Sequence, residues 1–121
     1  MTQAKKKILV VDDELAILRI LKVKLRVCGY DVVTALDGRQ ALDIVRSECP
    51  DLIVLDIIMP NKDGFEVLRE LRQSSRLPVI VFSARPENAQ QAYSLGANVF
   101  LSKPFDVDEL VRRIASLLDG G

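Results

Sequence analysis

The 121-residue chain contains no histidine, only two cysteines, and no excess of charge of either sign, with 17 Lys and Arg against 17 Asp and Glu. Without histidine there is no usual general base, no commonest zinc ligand and no Ser-His-Asp triad. The charge balance leaves no electrostatic footprint for a nucleic acid or an anionic membrane. No apolar run is long enough to span a bilayer. Met1 to Lys7 is basic, but Asp12 and Asp13 break the following apolar run after four residues, too soon for a signal peptide. A cytoplasmic chain is expected, with no direct nucleic-acid or membrane partner. Cys28 and Cys49 form no C-x-x-C pair and lie in amphipathic stretches, so they are expected as small buried hydrophobes rather than a disulfide. A G-x-x-x-x-G-K-[ST] loop is also missing, which leaves a nucleotide nothing obvious to hold it.

What is present suits one domain over 1–121 with its core at about 7–118. Apolar residues make up 49% and charged residues 28%, and the length suffices to bury a core without staples or metals. Five short apolar runs recur: Ile8 to Val11, Val32 to Thr34, Leu52 to Leu55, Val79 to Phe82, and Val99 to Leu101. Three are unbroken rather than alternating, the pattern of strands covered on both faces. Between them lie stripes of helical period: Leu15, Leu18, Leu21 and Leu25, stopped by Gly29; Ala41, Leu42 and Val45; Phe65, Leu68 and Leu71; Leu110, Ile114, Leu117 and Leu118. Asp37, Asp63 and Asp106 each stand three residues before Gln or Glu, a capping-box spacing. Pro86 to Leu95 has only a thin apolar face (Ala89, Ala92, Tyr93) and is expected as a loosely held helix. Strict β-α alternation predicts an α/β fold, a doubly wound parallel sheet with right-handed crossovers. Its sites form outside the carboxyl ends of the strands.

At those ends stand Asp12-Asp13, Asp56, Ser83 and, close behind the fifth run, Lys103-Pro104. Each has a plain structural alternative. Asp12 or Asp13 could cap the next helix, Asp56 could be a turn residue, Ser83 could cap the thin helix, and Lys103 could be a solvated loop lysine. Taken jointly these alternatives are weak, since every strongly punctuated strand end carries a useful polar group. Two carboxylates about 4 Å apart repel by roughly 4 kcal/mol at an effective dielectric near 20, so three together require a cation. All-oxygen ligands suit a hard ion such as Mg²⁺. A metal beside Asp56 with Lys103 opposite would neutralise a phosphoryl group, and the available acceptor is a carboxylate oxygen.

"ILVVDDE", "LIVLDIIMPNKDG", "VIVFSA" and "LSKPF" together resemble the receiver domain of two-component response regulators, the chemotaxis response regulator among them. The likeness runs from about Lys7 to Leu118, with the motifs in order and at fitting spacings. It implies a flavodoxin-like five-stranded sheet of order 2-1-3-4-5 with five helices. By this resemblance Asp56 is the phosphoacceptor, taking its phosphoryl group from a sensor histidine kinase, a histidine phosphotransfer protein or a small donor such as acetyl phosphate. Asp13 and Asp56 look like direct ligands of Mg²⁺ (or Mn²⁺), with Asp12 acting through water and the backbone carbonyl of Ile58 completing the set. Lys103 would bond the phosphoryl oxygens, Ser83 would move to the same group, and Phe100 would swing inward with it. Pro104 is similar to the family's cis proline, and Met59-Pro60 and Gly64 match the turn after the acceptor. The expected chain is a switch that catalyses its own phosphorylation and dephosphorylation, not a conventional enzyme. Helix 4, strand 5 and helix 5 would form its output face, stand-alone or as the N-terminal part of a larger regulator, with a homodimer formed on phosphorylation.

Gly96-Ala97-Asn98-Val99-Phe100 stands where many winged-helix regulators carry an acidic "GADDY", so the charge pairs by which such proteins dimerise through their last helices are not carried over to this chain. Ile58 and Arg85 occupy the positions that tune acyl-phosphate lifetime in receivers. Apolar Ile58 offers nothing to orient water, and slow self-dephosphorylation is expected. An alternative from another class is a haloacid dehalogenase-like small phosphatase. That family needs a second aspartate two residues after the nucleophile, and here the position is Ile58. An unphosphorylated receiver-like scaffold is a third reading.

Overall fold

The computed structural model describes residues 5–59 and 62–119. Met1 to Ala4, Pro60, Asn61 and the terminal Gly120-Gly121 lie outside the described residues. Strands and helices alternate throughout: β1 (Lys7–Val11), α1 (Leu15–Val27), β2 (Asp31–Ala35), α2 (Gly38–Glu48), β3 (Leu52–Asp56), α3 (Gly64–Arg72), β4 (Val79–Ser83), α4 (Asn88–Ser94), β5 (Val99–Ser102) and α5 (Val107–Asp119). All pairings are parallel, in the order β2-β1-β3-β4-β5 expected from the resemblance.

The unbroken apolar runs follow from this order. Central β1, β3 and β4 are covered on both faces, so odd and even side chains are buried alike. Period-2 alternation then sorts them into two cores. Ile8, Val10, Leu52, Val54, Ile80 and Phe82 pack toward α1 and α5 with Leu18, Leu21, Leu25, Leu110 and Ile114. Leu9, Val11, Ile53, Leu55, Val79 and Val81 face the other layer, with Ala41, Val67, Leu68, Leu71 and Ala92.

Two of the three proposed capping boxes bond at the third residue. Asp37 accepts from the Gln40 amide (2.9 Å) and Asp63 from the Glu66 amide (2.9 Å). Gln40 Oε1 reaches back to the Leu36 amide at 2.7 Å. Asp106 instead accepts from Asp108, one residue earlier in the turn (2.9 Å). Gly29 ends α1 as the left-handed stop, with φ at +99°.

Three expectations need correction. Cys28 and Cys49 are free, as expected, but exposed rather than buried. Each is the C-cap of its helix, past the last turn that touches the sheet. Leu15 is 54% exposed, because α1 packs against the core only from Ile17 onward. The cap of α1 is Glu14 rather than Asp12 or Asp13.

Candidate functional site

Register decides which strand-end side chains meet. Asp12 directly follows β1, and Asp56 is the last residue of β3, with Val11 opposite Leu55. Both continue the even-numbered parity of Ile8, Val10, Leu52 and Val54, and both are buried, at 0% and 3% exposed. Asp13 is exposed beside them. Carboxylate oxygens of Asp12, Asp13 and Asp56 all lie within 4.8 Å of one another.

Lys103 arrives from behind β5, anchored where its amide donates to the Ser83 carbonyl at 2.8 Å. The Lys103–Pro104 peptide is cis. Nζ stands 3.4 Å from Asp56 Oδ2, 3.5 Å from Asp12 Oδ2 and 3.8 Å from Glu14 Oε1. It also lies 4.9 Å from the centre of the Phe82 ring, whose face favours a cation. One ammonium therefore serves three carboxylates.

That shortage shows in the electrostatics. Burial, then the charge of Asp12, pushes the Asp56 carboxyl up to about 6, against the pull of Lys103 and the Ile58 amide. Burial also raises Asp12, opposed by its bond from the Glu14 amide (2.8 Å) and by Lys103. Asp12 Oδ2 is fully buried with no hydrogen bond among the described residues. A buried carboxylate oxygen with only a 3.5 Å ion pair to Lys103 and no hydrogen bond, facing two further carboxylates, has the donor set and the unmet need of a hard-cation site.

Ser83 ends β4 fully buried, on the parity of Val79 and Val81, toward α4. Its Oγ accepts from the Arg85 amide and from Asn88 Nδ2, each at 3.1 Å. Ile58 is 53% exposed, and its amide donates to Asp56 Oδ1 at 3.4 Å. Ile58, Met59, Phe65, Arg85 and Asn88 line a crevice of about 350 Å³ just beyond the end of β3. Half-buried Phe100 packs on the α2–α3–α4 side, away from the carboxylates' layer. Gly64 opens α3 against the end of β3: a Cβ there would stand 2.5 Å from the Asp56 carbonyl oxygen.

Asp12, Asp13, Asp56 and Lys103 thus form one group, while Ser83 and Phe100 sit beside it on the α4 side. Four residues escaped the sequence reading. Glu14 and Phe82 lie within the motifs ILVVDDE and VIVFSA and could have been found from them. Asn88 carries no periodic or motif signal, and Tyr93 shows only as part of the thin apolar face, which says nothing of its hydroxyl.

Comparison with known proteins agrees over nearly the whole chain. The family model described as the response regulator receiver domain matches residues 8–115. A probable transcriptional regulator ycf27 of Cyanophora paradoxa is 50% identical over 116 residues, 94% of this chain and 48% of that protein. Its counterpart in Porphyra purpurea is 47% identical over 120 residues, 98% of this chain and 49% of that protein. The chain therefore spans about half the length of these curated relatives. Among solved structures, the Francisella response regulator 1452 receiver domain superposes with a TM-score of 0.91 at 37% identity, covering 95% of this chain and 98% of that one. Response regulator TrrA from Thermotoga maritima, solved in complex with Mg²⁺-BeF, gives 0.85 at 37% identity, covering 93% and 98%.

Proposed function

This chain belongs to the response regulator receiver family, whose members are signalling switches of two-component systems, and from that premise we propose that Asp56 is its phosphoacceptor. The observation that carries this reading is the convergence of Asp12, Asp13 and Asp56 oxygens within 4.8 Å, with Lys103 Nζ 3.4 Å from Asp56. A carboxylate oxygen of Asp56 attacks phosphorus in a phosphohistidine of a sensor kinase or phosphotransfer protein. The P–N bond breaks, its electron pair stays on the imidazole nitrogen, and that nitrogen takes up a proton. With acetyl phosphate a P–O bond breaks and acetate leaves. Lys103 faces the charge that gathers on the phosphoryl oxygens.

Asp12, Asp13 and Asp56, with the backbone carbonyl of Ile58, would hold Mg²⁺ (or Mn²⁺). When bound, that cation offsets the carboxylate repulsion and neutralises phosphoryl charge. The relative solved with Mg²⁺-BeF supports this choice.

The acyl phosphate exchanges a charge of −1 for roughly −1.5 to −2 and adds acceptor oxygens. Ser83 turns to them and Phe100 moves inward, which rearranges α4, β5 and α5. Couplings of this kind are typically about 1–3 kcal/mol, a 5- to 150-fold change in partner affinity. That face is the proposed output surface, acting on a partner, a second copy of the chain or a linked segment. The description of the relatives as probable transcriptional regulators supports transcription as the process controlled. No helix among the described residues is long and apolar enough to cross a membrane, which is compatible with a cytoplasmic location. We take the domain to cover 1–121.

The test is incubation with acetyl phosphate and Mg²⁺ followed by intact mass measurement. One phosphoryl addition is expected, abolished by Asp56→Asn. No addition, or one that survives the substitution, overturns the assignment.

A further inference from the structure

The fourth helix is fastened to the sheet by very little apolar surface. α4 has seven residues, buries only Ala92, and its N-cap Glu87 makes no side-chain capping bond. Yet α4 reaches the sheet with a polar side chain at each end. Its first residue, Asn88, donates from Nδ2 to Ser83 Oγ at 3.1 Å. Near its other end, the Tyr93 hydroxyl accepts the Phe100 amide at 3.0 Å.

The second bond exists because β5 is an edge strand. Alternate amides of a parallel strand point to opposite sides. Lys103 N faces Ser83 O, so the amide of Phe100, three residues earlier, points away from β4. Tyr93 covers that otherwise unpaired edge donor while remaining 50% exposed, so the contact owes little to burial. The two side chains of α4 thus hold the hydroxyl of Ser83 and the backbone of Phe100, the pair that has to move.

We propose that Asn88 and Tyr93 are positioning residues that hold the unphosphorylated arrangement, fastening Ser83 and Phe100 to α4 until phosphorylation pulls them away. The proposal rests on the phosphoswitch reading of Asp56. The Ser83 hydroxyl accepts two hydrogen bonds, and turning toward an acyl phosphate forfeits the one from Asn88. An inward swing of Phe100 strains the one to Tyr93. Whatever holds one arrangement alone biases the equilibrium toward it, so removing it favours the other. Loss of one neutral hydrogen bond should shift that balance about 2- to 10-fold.

Beryllofluoride with Mg²⁺ serves as the phosphoryl stand-in for the test, its affinity measured by titration on the parent, Asn88→Ala, Tyr93→Phe and the double variant. Tyr93→Phe keeps the ring and removes only the acceptor, so it guards against a trivial folding defect. Each single variant should bind about 2- to 10-fold tighter than the parent and the double variant tighter still, while none melts higher. A purely structural role would lower the melting temperature and leave affinity unchanged or weaker. The chain has two tyrosines, so fluorotyrosine labelling gives two fluorine resonances. On saturation the Tyr93 resonance should move and the Tyr30 resonance should stay. If the parent binds but the variants bind no tighter, or the Tyr93 resonance is unmoved at saturation, the positioning role is overturned and the Asp56 assignment stands. If the parent neither binds beryllofluoride nor gains a phosphoryl group, both fall.

Discussion

Replacing Asp56 with asparagine should stabilise the metal-free protein at neutral pH, although it removes the partner of Lys103. Burial and the neighbouring Asp12 raise the Asp56 carboxyl from 3.8 to about 6, a value already net of the pull from Lys103. At 1.36 kcal/mol per pH unit, the ionised group costs the folded state about 3 kcal/mol at pH 7. Below about pH 4 both folded and unfolded chains hold the proton and this cost vanishes. Between about 4 and 6 the unfolded chain has released its proton while the folded one keeps it, so stability falls as pH rises. Above 6 the full penalty persists. Asp56→Asn removes the charge but fits the site imperfectly, leaving a gain of about 2 kcal/mol, or on the order of 6–10 °C for a domain of this size. Thermal melts followed by circular dichroism in EDTA at pH 4 and 7.5 measure it. The variant should melt higher at 7.5, the gap should close toward pH 4, and Mg²⁺ should raise the parent far more than the variant. A variant no more stable than its parent at 7.5, or a gap independent of pH, refutes the reasoning. Asp12 and Asp56 titrate as a coupled pair, so the slope belongs to both.

Removing the cation by Lys103→Ala should slow phosphoryl uptake from acetyl phosphate by about 10²-fold, as loss of one preorganised charge partner does, read as the initial rate by intact mass. Ile58→Asn should shorten the acyl-phosphate half-life by about 10-fold, since its amide can orient the attacking water where the apolar side chain cannot; an unchanged half-life by mass or radiolabel decay counts against that role. Gly64→Ala puts a Cβ against the Asp56 carbonyl and should destabilise by about 1–3 kcal/mol in urea melts, with a loss of acceptor reactivity that a peripheral change such as Asp106→Ala does not share.

The sheet was legible because β1, β3 and β4 each needed an unbroken run of four apolar residues. An unbroken run such as Leu52 to Leu55 has few other uses in a chain of this length. The carboxylates were legible for a topological reason: parallel strands deliver all their carboxyl ends to one edge, so residues 44 positions apart, Asp12 and Asp56, could be expected side by side. Where a helix stops touching the sheet was not legible. The stripe from Leu15 to Leu25 gives the angle of the buried face but not its length, which is how Leu15 and Cys28 were misjudged. The polar contacts of Asn88 and of the Tyr93 hydroxyl were invisible for a different reason. Their partners depend on where a seven-residue helix starts and how it lies on an edge strand, and no spacing rule encodes that.

Lys103 reaches the carboxylates from beyond the outermost strand, and this position has a consequence for chains that are not fully folded. The ammonium is 47 residues from Asp56 in sequence, and its backbone is held by the pairing of β5 with β4. An opening that peels β5 from the sheet can leave the central strands intact, since edge strands are the first to detach. It would carry away the only ammonium that contacts Asp56 among the described residues, leaving buried carboxylates to repel one another. If Asp56 is the phosphoacceptor as proposed, a frayed copy would lose its competence to be charged before it loses its core. The weakest seam of the sheet would then double as an inspection point, admitting to signalling only molecules closed to the last strand.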